Sequence, residues 1–348
     1  MDAFNDFFTN FSLYNLTFVP TTVTAVSILG IIPLLYIYTA LTSLTFPTLA
    51  SSRILLLIAH PDDEAMFLSP TVTRLTDSQL GNHLKILCLS AGNADGLGEI
   101  RKKELVQSAK ILGVEKESDV IIMDDQKNLP DDMNANWNTK SVADLLLRAF
   151  APNSQSNNTN NKGKGKNKSS NSDSSSITSS SNKNGAPEAL IDVIITFDSR
   201  GVSGHPNHTA CHGSALAFLD ALMAGHEGWA CPVDVYTLTT VPVWRKYSSV
   251  IDCLFTILAT MVALVLGPRD SAIGNAGRNW MLAPGKSRKK EAERKRPRAM
   301  LFVARPGEWW RGIKAMTRAH VSQMRWFRWG WIGLSRYMVV NDLRRVAR

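Results

Sequence analysis

Five short apolar runs, each followed by a stretch of helical composition, restrict this chain to one class of fold. The runs are Ile54 to Ala59, Leu84 to Ser90, Asp119 to Met123, Leu190 to Phe197 and Asp234 to Thr240. Most are continuously apolar rather than alternating, the pattern of strands covered on both faces in a parallel sheet. Helices are predicted near Ala65 to Leu75, Glu99 to Leu112, Val142 to Phe150 and His208 to Leu222. The repeated β-α order predicts an α/β fold with a Rossmann-like open, mostly parallel sheet. No G-x-G-x-x-G follows the first run, which argues against a dinucleotide enzyme. Cys88, Cys211, Cys231 and Cys253 are widely spaced with no C-x-x-C pair, so neither a disulfide framework nor a cysteine zinc site is expected.

Outside this β-α core the 348 residues divide unevenly. No charged residue lies between Asp6 and Arg53, and residues 23–44 (VTAVSILGIIPLLYIYTALTSL) are long and apolar enough to cross a bilayer as a helix. Acids alone precede this stretch, while Arg53, Arg74, Lys85 and Arg101 to Lys103 follow it. The positive-inside bias then puts residues 1–22 in the lumen and the body of the chain in the cytoplasm. A cleaved signal peptide would need a basic n-region, which is missing. Residues 153–185 hold 11 Ser and 9 Asn with one aliphatic, Ile177, and read as a disordered insertion within one domain spanning 53–248. Residues 250–267 are apolar apart from Asp252, and residues 268–348 carry 20 Lys and Arg against 5 acids. A crossing at 250–267 would carry that basic tail into the lumen, so an in-plane or re-entrant contact is preferred to a second span. The tail's basic run from Lys286 to Arg296 suits anionic headgroups, and Trp309, Trp310, Trp326, Trp329 and Trp331, interleaved with arginines, suit a bilayer interface. No recognised nucleic-acid module accompanies the net charge of +9, so no nucleic-acid partner is expected.

In an open α/β sheet the site lies beyond the carboxyl ends of the strands. Two such loops are rich in titratable groups. The first reads Ala59-His60-Pro61-Asp62-Asp63-Glu64; on its own, acids at a helix start are most simply caps. The second, Asp198 to His208, opens another helix and sets His205 and His208 three residues apart. Together the loops offer imidazoles and carboxylates enough for a divalent metal, with positions left for water and substrate. Asp62 is then free as a base toward a water of lowered pKa, and His205 is free to stabilise charge or give a proton. Ser203 has no G-x-S-x-G elbow around it, which argues against a serine hydrolase.

AHPDDE, SAGNADGLGEIRKKEL, TFDSRGVSGHPNH and HVSQMRWFRWGWIGLSRYMVVNDL, in that order, resemble the PIG-L branch of the PIG-L/LmbE-like metal-dependent deacetylases. The resemblance covers residues 54–125 and 190–247 well and 318–343 more loosely. It implies that His60, Asp63 and His208 hold the metal, zinc, with Asp62 as general base and His205 supporting the oxyanion or protonating the amine. It implies that Arg101 helps bind substrate; the plainer reading is an exposed partner of Glu104 on a helix. Where soluble relatives often carry Asp, this chain has Asn207, a weaker support for a ligand imidazole. The implied reaction is removal of an N-acetyl group from N-acetylglucosaminyl-phosphatidylinositol at the endoplasmic reticulum membrane, with His320 and Arg336 as candidates for gripping the inositol phosphate. A deacetylase of another N-acetyl sugar, or an inactive membrane adaptor, are the alternatives.

Overall fold

The structure is a computed structural model that describes residues 21–23, 30–152, 186–253, 255–256 and 296–347. Seven strands form one sheet in the order β3-β2-β1-β4-β5-β7-β6. β1 (Arg53–Ile58), β2 (His83–Cys88), β3 (Val120–Ile122), β4 (Val193–Phe197) and β5 (Asp234–Leu238) are mutually parallel. Every strand expected from the apolar runs forms; β1 is shifted by one residue, and β2 to β5 are each somewhat shorter than their runs. β1 is central, and all its residues after Arg53 are buried because helices cover both faces.

The first predicted helix, 65–75, is two: α2 (Asp63–Met66) and α3 (Ser69–Leu75). Pro70 stands in the first turn of α3, where its missing N–H costs nothing, and a continuous helix through it would lose a hydrogen bond. The other predicted helices are α4 (Gly98–Leu112), α5 (Thr139–Phe150) and, after the short turn α6 (Gly201–Gly204), α7 (Pro206–Met223). α8 (Val243–Lys246) follows β5.

The catalytic fold does not stop at residue 248. β6 (Ala299–Val303) and β7 (Val340–Arg345) add two antiparallel strands beside β5, so much of the tail expected to be a separate membrane-associated region completes the sheet. Between them α9 (Pro306–Lys314) packs on α3 so closely that a Cβ on Gly312 would come 2.8 Å from Ser69 Oγ, and α10 (Trp326–Leu334) follows. Short strands flanked by arginine carry little periodic signal, which is why the sequence alone reads them as tail.

Of the expected span 23–44, residues 24–29 lie outside the described residues, and α1 (Ile32–Thr42) covers the second half. Tyr36 on α1 donates its hydroxyl to the Ala304 carbonyl at 2.5 Å, while Ile31, Leu34, Tyr38 and Leu41 are exposed. Among the described residues no helix is long and apolar enough to cross a membrane. The insertion 153–185, residues 257–267 of the apolar segment and the basic run 286–295 also lie outside the described residues.

Asp252, the one charge in the apolar segment, is fully buried and ion-pairs with Arg245 and Arg336, so the start of that segment belongs to the domain. β1 and β4 are neighbours although a crossover separates them in sequence. The strand order reverses at that seam, and the two titratable loops leave from its two sides.

Candidate active site

The loop after β1 is shaped by its own acids. Asp63 Oδ2 accepts the backbone N–H groups of Ala59 (3.0 Å) and His60 (2.9 Å), which turns the side chain back over the loop. Its Oδ1 then faces His208 Nε2 at 3.1 Å. Burial pushes the Asp63 carboxyl up, but His208 and His60 outweigh it and hold the group well below the ordinary carboxylate range. Asp62 sits at the head of α2 with φ 129°, in the left-handed region that disfavours any residue with a Cβ. Its side chain caps nothing, so the plainer reading of these acids as helix caps does not hold for Asp62. Glu64 supports the strained turn: Oε2 accepts the Asp62 N–H at 3.2 Å, and Oε1 meets Ser108 Oγ at 2.5 Å and His320 Nε2 at 2.6 Å.

The loop after β4 brings the two histidines to the same place. His205 is the N-cap of α7, and its Nδ1 accepts the Asn207 N–H at 3.2 Å. Burial, then the nearby His60 and His208, push its pKa down to about 4. The neutral ring therefore carries its proton on Nε2, as a donor. His208 contacts the Gly201 carbonyl through Nδ1 at 3.0 Å, which leaves Nε2 toward Asp63, and Phe197 stacks on its ring at 4.1 Å. Gly201 has φ +63°, and a Cβ there would come 2.9 Å from His208 Cβ, so only glycine fits the turn. Burial pulls the His208 pKa down, but Asp63 outweighs it and the net shift is upward.

His60, Asp63 and His208, all buried, present one ligand atom each with all three within 4.8 Å of one another. The ring of His205 lies 4.9 Å from that of His60 and 5.3 Å from that of His208. A second group, His60, Asp131 and His205, meets the same distance limit and shares His60. Asn207 meets His60 through its amide nitrogen, 3.0 Å from Nε2, and also donates to the Pro130 carbonyl; its buried Oδ1 has no partner among the described residues.

Arg101 is buried, not an exposed partner of Glu104: it donates to the Gly92 and Pro61 carbonyls at 2.8 Å each and to Asp131 at 3.2 Å, and lies 3.6 Å from Asp62. Glu104 is instead taken by the backbone and hydroxyl of Ser322, each at 2.7 Å.

The chain's end supplies what sequence reasoning missed. Arg328 on α10 pairs with Asp62 Oδ2 at 2.6 Å, and Trp331 donates its indole N–H to the Met66 carbonyl at 3.0 Å. Asp131, 3.1 Å from His60, follows β3, and a search of every loop at the carboxyl end of the sheet would have found it. His320 and Arg336 do not await a phosphate: both are fully buried, His320 against Glu64 and Arg336 between Asp252 and Asp342.

Residues 55–219 match the family model described as PIG-L, GlcNAc-PI de-N-acetylase. An N-acetylglucosaminyl-phosphatidylinositol de-N-acetylase of Arthroderma benhamiae is 43% identical, over 86% of this chain and 89% of that one. A probable enzyme of the same name from Schizosaccharomyces pombe is 34% identical, over 86% and 89%. One from Bos taurus is 32% identical, over 84% and 83%. A solved deacetylase of the teicoplanin pathway aligns with TM-score 0.42 and 13% identity, over 85% of this chain and 98% of that one. By these relatives, across nearly its whole length, the chain belongs to the PIG-L family of GlcNAc-PI de-N-acetylases.

Proposed function

We propose that this chain hydrolyses the acetamide of N-acetylglucosaminyl-phosphatidylinositol, releasing acetate and a free glucosamine amine, the second step of glycosylphosphatidylinositol-anchor synthesis. The observation that carries the reading is the convergence of His60, Asp63 and His208 with Asp62 and His205 at the sheet's switch point. Two imidazoles and a carboxylate within one ion's reach, beside the unpaired Asn207 Oδ1, fit a divalent metal, and zinc suits such nitrogen and oxygen donors. Bound there, zinc would act as a Lewis acid toward the acetyl carbonyl and lower the pKa of a water.

The remaining work falls to side chains. Asp62 takes the water proton; its Oδ2 is occupied by Arg328 and Arg101, so Oδ1, which has no hydrogen bond among the described residues, is the accepting atom. The water oxygen adds to the acetyl carbon, and the Nε2–H of neutral His205 donates to the carbonyl oxygen as it gains charge. The carbon–nitrogen bond then breaks, the proton passes to the amine, and acetate leaves. Arg101 braces Pro61 and Asp131 around the site, close enough to add a contact to substrate.

A lipid-borne substrate accords with an anchored chain whose catalytic domain faces the cytoplasm, the orientation read from residues 23–44 and the charges that flank them, at the endoplasmic reticulum that the family resemblance implies. The complete residue set weighs against an inactive adaptor. The test is acetate release from the glycolipid by detergent-purified protein, stripped with a chelator and given back zinc. Zinc-restored release that is lost in His208→Ala supports the reading. Release only from other N-acetyl sugars would replace the substrate, and none from any would end the enzymatic reading.

A further inference from the structure

Beside the active site the structure leaves a broad apolar surface uncovered. On α10, Trp326 is 86% and Trp329 59% exposed, with Phe327 exposed between them. Val243 and Trp244 of α8 are exposed too, and Trp244 meets the exposed Phe255 edge-on at 5.3 Å. The two parts are joined: the Ser249 N–H donates to the Leu334 carbonyl at 2.9 Å, and Tyr247 packs against Trp331 at 5.9 Å. Exposed aromatic side chains gathered on adjoining elements, rather than scattered singly, mark a docking site.

Charge identifies the occupant. Between Glu308 and Asp342 the chain has no acidic residue, while Lys314, Arg318 and Arg325 stand among the tryptophans. In the 243–256 stretch the one acid, Asp252, is buried in its ion pairs. Arg325 has one exposed acidic neighbour, Asp95 at 3.7 Å, a solvent-screened contact that leaves the surface basic. Tryptophan and phenylalanine rings set among such cations match the headgroup layer of an anionic bilayer, which takes amphipathic rings and attracts basic side chains.

α10 has a second face. Arg328, Trp331 and Ile332, spaced by three and four, point inward, Arg328 to Asp62 and Trp331 to Met66 and Phe67. We infer that α10, with residues 243–253 and 255–256, docks on an anionic lipid bilayer. One helix thereby presses its aromatic face into the headgroups and holds the catalytic loop with the other. The docked surface brings the lipid-borne substrate to the site without drawing its acyl chains from the membrane. This rests on the glycolipid reading above, and the test separates the two.

Full-length protein is reconstituted with phosphatidylcholine/phosphatidylserine vesicles whose acyl chains carry bromine, a short-range quencher of tryptophan fluorescence. Wild type should be quenched, and Trp326→Ser/Trp329→Ser should lose most of the quenched fraction, whether or not another segment tethers the chain. The same variant should deacetylate vesicle-borne glycolipid about ten-fold more slowly, yet act within about two-fold on an acyl-free, water-soluble analogue. Trp326→Phe/Trp329→Phe should restore the vesicle rate. Equal quenching of wild type and the serine variant overturns the docking surface, as does an equal loss on both substrates, which would mean damage to the helix. If wild type acts on neither substrate, the glycolipid reading fails, and the quenching alone decides the docking.

Discussion

Arg328 and Asp62 stand 266 residues apart in the chain and share a 2.6 Å ion pair, both side chains largely buried. With Arg101 at 3.6 Å, two guanidinium groups bracket one carboxylate oxygen, which orients the other. A charge-assisted contact of this length fixes a rotamer as well as adding energy.

Arg328→Ala should therefore lower kcat by about 10- to 100-fold while KM changes little, since in the proposed mechanism the lost contact orients the base rather than binding substrate. Added guanidinium should recover part of the rate, and Arg328→Lys should fall between, having the charge but not the planar fork. Steady-state kinetics with and without guanidinium make the measurement; no rescue and an equal rise in KM would point to a contact with substrate instead.

Asp62→Asn keeps the shape of the loop and removes the proton acceptor. Metal content should stay at the wild-type level while turnover drops by about 10²- to 10⁴-fold. Metal analysis beside the assay checks this, and activity within a few-fold of wild type would remove Asp62 from its role.

His320 and Glu64 form a fully buried pair. Burial lowers the His320 pKa, but Glu64 more than offsets it, and the net shift is upward. A histidine whose folded pKa is raised contributes stability in full below its free value of about 6.5, and that contribution is lost as pH rises through the folded value. Denaturant titrations across this range should show wild type losing stability on the alkaline side more steeply than His320→Gln. His320→Ala, which strands a buried carboxylate, should cost about 3–5 kcal/mol. Parallel pH profiles for wild type and His320→Gln would contradict the assignment.

The Phe150 carbonyl accepts the Leu190 N–H at 2.7 Å, so the chain on either side of residues 153–185 is already closed by the fold. Replacing 153–185 with a short Gly/Ser linker should leave stability within about 0.5 kcal/mol and activity within two-fold, because loop-closure entropy changes slowly with length. A thermal melt beside the deacetylation assay decides it; collapse of folding would mean the segment carries structure.

The parallel half of the sheet and its two titratable loops were legible because their signals are local. Buried parallel strands such as Leu55 to Ile58 read as apolar runs, and His60 to Glu64 and His205 to His208 each lie within one short segment. β6 and β7 were not legible: their pairing is long-range, and β7 holds Asn341, Asp342, Arg344 and Arg345 among its six residues. Arg328 was hidden for the same reason, since one arginine among twenty basic residues in the tail carries no mark of which carboxylate it meets. Arg336 misled in the opposite direction: its charge suggested a phosphate contact, while Asp252 and Asp342 already neutralise it in the core. Burial of a charge depends on tertiary partners that no local window contains.

The Asp62–Arg328 pair also sets a time at which the protein becomes competent. During synthesis the β1 loop leaves the ribosome early, but the guanidinium that orients its carboxylate, the imidazole that steadies Glu64 and the strand β7 that closes the sheet all come from the last thirty or so residues. A chain stopped before Arg328 would present His60, Asp63 and His208, the proposed ligands, and still lack the contact that holds Asp62. Under the proposed mechanism, activity waits on synthesis through β7.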